Sequence, residues 1–282
     1  MKFLIPIFTL TIMSTNLLSQ TQMVTVGDDK RQVTIYSPSS IDADQKAPLL
    51  LNFHGSGMTA IEQMMYSQTN KLADEYGFVV AYPQGKNNDW NVGFDMEFEE
   101  GNDVKFIQIL IQKIIKHYPV DSTKIYAIGI SRGGFFAQRL MAELPGQING
   151  FVSVGAPIPV EVYQRMTNIP PVKALYVHGT ADQIVTINGK ENAYRSLDES
   201  LQVWNGESRK LSTQSIEHYD TESNLVGIDI YYYGENASIA KMVIENGGHT
   251  WPGSDPFNIG LPLGLTAQGF DFNTFFWEFL IR

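Results

Sequence analysis

Ser131 stands in the run GISRGG, with Gly129 two residues before it and Gly133 two after. The apolar stretch KIYAIGI ends at this serine, and RGGFFAQRL, a helical pattern, starts directly behind it. A strand that turns sharply into a helix forces the residue at the turn into a strained backbone. The flanking glycines then have a reason, since side chains there would collide with neighbouring backbone. The helix behind Ser131 points its first N–H groups at the place where negative charge would develop on an attacked carbonyl. The chemistry this frame suits is nucleophilic attack on an acyl carbon, with a covalent acyl-enzyme to follow. A serine hydroxyl attacks well only when a base takes its proton.

The chain offers five histidines as that base. His249, in ENGGHTWPG, follows a strand pattern and two glycines, a loop position at a sheet edge beyond the nucleophile. It is the preferred base. His178, in VHGTAD, is the main competitor and is read as a structural residue of a strand end. Asp182 comes four residues later, placed to orient an imidazole and stabilise its cation. His117 lies near a helix end in polar company, and His218 sits in a polar EHYD stretch. His54 opens HGSG after an early strand, where it braces the loop. Such a loop supplies one backbone N–H to an oxyanion hole. Ser56 is the expected donor there, with Gly57 as the near alternative, and Arg132 is the second donor.

These residues need a scaffold that brings them to one edge. After an extended N-terminal part (Met23 to Val26, Arg31 to Tyr36), strand and helix patterns alternate. Strands are expected at Ala47 to His54, Gly77 to Tyr82, Lys124 to Ile130, Phe151 to Val154, Ala174 to Val177, Ile228 to Tyr233 and Lys241 to Glu245. Helices are expected over Thr59 to Tyr76, from Asn102 to about Tyr118, over Gly133 to Leu144 and over Asp271 to Leu280. Strands apolar on both faces, alternating with helices, imply a mostly parallel central sheet flanked by helices. Ligands of such α/β sheets bind beyond the carboxyl ends of the strands, which is where Ser131, Asp182 and His249 fall. That chain order of nucleophile, acid and base is the order of α/β-hydrolases.

The 282 residues suit one large domain, expected over residues 21–282. The net charge of −10 leaves no cluster of cations to neutralise nucleic-acid phosphates or to hold an anionic membrane surface. There is no cysteine, so thiol nucleophiles, disulfides and Cys-ligated metals are excluded. No H-E-x-x-H or His-rich spacing occurs, and no metal, cofactor or protein partner is expected. Residues 1–20, with Lys2 ahead of the apolar run Phe3 to Met13, read as a signal peptide cleaved at about 19–22. The run is too short to span a membrane, so a secreted or periplasmic protein is expected.

LNFHGSG, YPQG, the segment Asp103 to Phe106, GISRGG, VHGTAD and GGHTWPG resemble, in order, the extracellular polyhydroxybutyrate depolymerase and feruloyl esterase-like group of α/β-hydrolases. The resemblance covers nearly all of the chain after residue 20, and the Trp-Pro-Gly after His249 is its most specific part. It implies Ser131 as nucleophile, Asp182 as acid and His249 as base, with Trp251 lining the pocket. DWNVGF, Asp89 to Phe94, resembles the group's tryptophan segment near the active site, so Trp90 joins Trp251 as an expected pocket aromatic. Arg132 stands where the group often has asparagine, and its side chain could reshape the pocket entrance. Glu97 to Glu100 form an acidic patch with no assigned role. The resemblance covers feruloyl esterases and polyester depolymerases alike; the expected export signal and the expected pocket aromatics Trp90 and Trp251 favour small soluble esters, feruloyl or acetyl groups on polysaccharide fragments, ahead of polyhydroxybutyrate. A non-catalytic carbohydrate-binding protein on a hydrolase scaffold is the alternative of another class.

Overall fold

Burial on both faces requires helices on both sides of the inner strands, and the computed structural model places them so. It describes residues 20–26, 29–42, 44–94, 102–166, 172–206, 212–221, 226–255 and 261–282. The expected signal peptide up to residue 19, and the acidic patch Glu97 to Glu100, lie outside the described residues. The strands are β1 (Gln20–Val26), β2 (Asp29–Tyr36), β3 (Ala47–Phe53), β4 (Val79–Pro83), β5 (Val120–Ile130), β6 (Gly150–Val154), β7 (Lys173–Gly179), β8 (Ser215–Asp220), β9 (Gly227–Tyr233) and β10 (Ile239–Glu245). The helices are α1 (Ala60–Ser67), α2 (Thr69–Tyr76), α3 (Asn102–His117), α4 (Arg132–Glu143), α5 (Val160–Arg165), α6 (Leu197–Asn205) and α7 (Phe272–Ile281). One sheet takes the order β1-β2-β4-β3-β5-β6-β7-β10-β9-β8. The run from β4 to β10 is parallel. The pairs β1–β2, β2–β4, β10–β9 and β9–β8 are antiparallel.

Successive strand residues face opposite sides, and the core divides accordingly. Leu49, Leu51, Phe53, Ile125 and Ala127 join the apolar side chains of α3, α4 and α6 on one face. Leu50, Tyr126, Ile128 and Ile130 join those of α1, α2 and α7 on the other. The two antiparallel edges correct the simple alternating picture. β8 escapes pattern reading because it is an edge strand whose side chains are mostly exposed.

The single helix expected over Thr59 to Tyr76 is two. Gln68 takes a left-handed backbone (φ 52°) between α1 and α2. The break serves Asn52, a polar residue wholly buried in β3. The Asn52 amide donates to Ser67 Oγ at 3.0 Å and to Thr69 Oγ1 at 3.1 Å, and its oxygen accepts from Gln63 at 2.8 Å. A buried amide left unpaired would cost about 1–3 kcal/mol. A capping box, Thr59 with Glu62, starts α1. Across the sheet, a buried ion pair of Arg31 in β2 with Asp103 in α3 fixes the start of α3, and Asp103 Oδ2 accepts the Asn91 N–H at 2.7 Å. The loop after β4 is thereby fixed beside the carboxyl ends of the strands. Among the described residues no helix is long and apolar enough to cross a membrane.

Candidate active site

β5 delivers Ser131 to the carboxyl edge and α4 leaves directly from it. Ser131 has φ 55° and ψ −124°, a conformation that costs a non-glycine residue on the order of 1–3 kcal/mol. The turn closes only because two neighbours lack side chains. A Cβ on Gly129 would lie 2.3 Å from the backbone carbon of Gly133, and one on Gly133 would lie 2.3 Å from the Phe53 carbonyl oxygen. The Ser131 N–H donates to the Val154 carbonyl of β6 at 2.8 Å and pins the turn from the other side.

Asp182 and His249 come together from loops after β7 and β10. Asp182 Oδ1 accepts the N–H groups of Ile184 and Val185, each at 2.9 Å. Its Oδ2 meets His249 Nδ1 at 2.6 Å. Nδ1 must therefore carry the proton, which leaves the lone pair on Nε2. Among the described residues that Nε2 is buried without a hydrogen-bond partner, and His249 lines the same cavity as Ser131. Burial alone would raise the Asp182 carboxyl, but the hydrogen bond and charge of His249 and the Val185 N–H outweigh it and hold the group below its ordinary value.

The other histidines are placed for structure. His178 Nε2 donates to the Val185 carbonyl at 2.8 Å and lies 3.6 Å from Asp182 Oδ2, so it braces the aspartate's loop. His54 Nε2 accepts the Gly85 N–H at 2.9 Å, while its Nδ1 donates to the Gly55 carbonyl at 2.8 Å. His117 is exposed, and His218 pairs with Asp229 on the surface at 2.6 Å. Burial lowers the affinity of both His54 and His178 for a proton, against the raising effects of the Gly55 carbonyl at His54 and of Asp182 at His178.

This has a sign for stability. Below the ordinary histidine pKa of about 6.5 the unfolded chain binds more protons than the folded one. The stability these two histidines contribute is thus complete above about pH 6.5 and lost as pH falls. His218, raised chiefly by its Asp229 hydrogen bond, works the opposite way from an exposed position. Thermal melts from pH 8 to pH 5 should show a falling Tm, and His54→Gln, which keeps an acceptor but cannot titrate, should flatten that slope. Identical slopes would contradict the account of His54.

The oxyanion donors expected at Ser56 and Arg132 flank the same turn. Arg132 is the first residue of α4, where N–H groups lack an acceptor within the helix. Gly57 spends its N–H on the Asn88 carbonyl at 2.8 Å, which favours Ser56, a residue of the cavity wall. The Arg132 side chain lies along the loop after β4: its guanidinium sits 4.6 Å over the Phe94 ring and pairs with Asp89 at 3.1 Å.

The two expected pocket tryptophans require correction. Trp90 is 0% exposed, stacked on Phe136 at 4.6 Å and donating to the His54 carbonyl at 3.1 Å. Trp251 is 1% exposed, packs edge-on against Phe272 at 5.4 Å, and donates to Asn273 at 3.1 Å. Both indoles are spent on the core, and neither belongs to the wall of the cavity at Ser131. That cavity, about 130 Å³, is lined instead by Gly55, Ser56, Met58, Tyr66, Ile130, Ile184, Leu261 and Leu263 with Ser131 and His249. Sequence reasoning missed Met58, Tyr66, Ile184, Leu261 and Leu263. Tyr66 is fixed by accepting the Trp251 N–H at 2.9 Å, so Trp251 acts on the wall at second hand.

Residues 40–225 match the phospholipase/carboxylesterase family. Over 169 residues the chain is 28% identical to a bifunctional acetylxylan esterase/xylanase of Neocallimastix patriciarum, a match covering 57% of this chain and 24% of that protein. It is 31% identical over 170 residues to a feruloyl esterase B of Piromyces equi, covering 56% of this chain and 30% of that one. The chain thus spans well under half the length of either relative. An acetyl xylan esterase from Aspergillus awamori superposes with a TM-score of 0.62 at 17% identity, over 82% of this chain and 94% of that one, and shares the fold.

Proposed function

The chain belongs to the phospholipase/carboxylesterase family of α/β-hydrolases, and from that premise we propose that it is a serine carboxylic ester hydrolase working through Ser131, His249 and Asp182. One observation carries the reading. A buried imidazole with its Nδ1 fixed on a carboxylate keeps its Nε2 without a hydrogen-bond partner among the described residues and lines an apolar cavity together with a strained serine.

The steps follow from the geometry. Ser131 Oγ attacks the ester carbonyl carbon as its proton passes to His249 Nε2. The carbonyl π pair moves onto oxygen, facing the N–H groups of Arg132 and Ser56. The oxyanion collapses, the C–O bond to the alcohol breaks, and His249 returns its proton to the leaving oxygen. Water then repeats the sequence on the acyl-enzyme, which releases the acid and restores Ser131. Asp182 stays ionised throughout and stabilises the imidazolium.

The cavity also bears on the acyl group. Its walls are largely aliphatic, and its size is close to the ~150 Å³ of an engineered apolar cavity that accepts benzene. Such a space suits one aromatic ring or a short aliphatic acyl chain. With relatives named as acetylxylan and feruloyl esterases, the substrate class we favour is feruloyl or acetyl esters of polysaccharide fragments. Lys2 and the apolar run Phe3 to Met13 support a reaction outside the cytoplasm. A second reading, hydrolysis of short hydroxyalkanoate polyester, draws on the exposed lip of Ile184 (38%) and Leu261 (54%) at the cavity mouth. The test is paired: release of ferulate or acetate from feruloylated or acetylated xylan fragments, against clearing of a polyhydroxybutyrate suspension. Release without clearing is expected. Clearing without release would make the polyester the substrate.

A further inference from the structure

Ser56, on the loop after β3, and Arg132, at the start of α4, share no element, yet an oxyanion hole needs their N–H groups held to within about half an ångström. A single carboxylate joins them. Asp89, on the loop after β4, accepts the Ser56 hydroxyl on Oδ2 at 2.8 Å and forms an ion pair through Oδ1 with Arg132 Nε at 3.1 Å. Oδ1 also accepts the N–H of Trp90 at 2.8 Å, which fixes the carboxylate's own rotamer. The loop carrying Asp89 is held in turn: Gly57 N–H donates to the Asn88 carbonyl at 2.8 Å, and the Trp90 indole is buried beneath it against Phe53 and Phe136. On the far side the Arg132 guanidinium is held over the Phe94 ring and donates to the Phe94 carbonyl at 3.3 Å.

We propose that Asp89 is a positioning residue that clamps the two oxyanion donors, Ser56 and Arg132, in register with each other. The proposal rests on the ester-hydrolase reading. Asp89 and Arg132 keep 24% and 12% side-chain exposure, and a partly exposed ion pair contributes little stability. The value of the clamp therefore lies in geometry. It holds donors that act on the oxyanion and not on the ground-state carbonyl, so its loss must appear in kcat before KM. It also gives the arginine after the nucleophile a task on the loop side, away from the acyl group.

The test uses the full chain on p-nitrophenyl acetate and methyl ferulate, with Ser131→Ala as the blank and a methyl trifluoromethyl ketone as a tetrahedral-adduct inhibitor. Asp89→Ala should lower kcat about 10- to 100-fold on both esters, less than the 10²–10³ that follows complete loss of a donor. KM should stay within about threefold, and the inhibitor's Ki should rise by the same factor as kcat falls. Asp89→Asn, which keeps an acceptor for Ser56 but no charge for Arg132, should fall between. Ser56→Ala should lower kcat in the wild-type background and add little to Asp89→Ala, because both cut the same link. Should melting curves show that Asp89→Ala has lost its fold, Asp89→Asn and Ser56→Ala as single variants decide by the same kcat, KM and Ki readouts. A raised KM with kcat and Ki unchanged, or additive effects of the two substitutions, would overturn the clamp while leaving the hydrolase reading intact. Wild-type turnover that survives in Ser131→Ala would overturn both.

Discussion

Ser131→Ala will lower kcat on p-nitrophenyl acetate by about 10⁴- to 10⁶-fold, the range seen when a serine triad loses its nucleophile. The size follows from the absence of any substitute hydroxyl at the turn: no other serine or threonine shares the elbow between β5 and α4. The residual rate would come from binding and the oxyanion donors alone. The fold should survive, because alanine occupies the same backbone at the same cost. Ser131→Gly should be equally inactive yet melt higher, since glycine takes φ 55° without the penalty. Steady-state kinetics beside thermal melts check both halves. A folded Ser131→Ala protein with near wild-type kcat would remove Ser131 from the chemistry.

The second large effect separates two histidines that look alike in sequence. His249→Ala should cost about 10⁴- to 10⁶-fold in kcat with a small change in Tm, because it removes the proposed proton acceptor from a cavity wall. His178→Ala should do the reverse. It deletes a buried ring and its 2.8 Å bond to the Val185 carbonyl, a change worth a few kcal/mol of stability. Its kcat, compared at a temperature where both variants are folded, should remain within about tenfold. Should His178→Ala prove inactive and His249→Ala active, the base has been assigned to the wrong loop.

Why these residues were legible and others were not has a physical cause. Ser131, Asp182 and His249 each come within three residues of a glycine after a continuous apolar run, so local pattern alone places them at strand ends. The inner strands of the sheet are read by the same signal. Trp90 and Trp251 were misplaced because an indole near an active-site motif serves the core as readily as the pocket, and only packing distinguishes the two. The cavity wall comes from Met58, Tyr66, Ile184, Leu261 and Leu263, on three separate segments whose convergence depends on tertiary structure. The break at Gln68 was hidden for a similar reason: its purpose, pairing Asn52, lies on another element. The short helices α5 and α6 and the exposed strand β8 carry too little periodicity to stand out.

The attachment of His249 to the cavity wall constrains how this protein can diversify. The His249 N–H donates to the Leu263 carbonyl, the Gly248 N–H donates to Leu265 at 2.8 Å, and Gly247 bridges Leu265. The segment that closes one side of the cavity is therefore stapled to the residue proposed to move the proton. Any drift in backbone at positions 261–265 is transmitted to the imidazole, whereas Met58 stands on a different segment. Mutational robustness is thus asymmetric around the cavity. New acyl preferences are more accessible through the side chain of Met58, whose exchange leaves the backbone of the Ser56 loop pinned by the Gly57 N–H on the Asn88 carbonyl, and selection experiments that randomise both sides equally should recover their active variants mostly there.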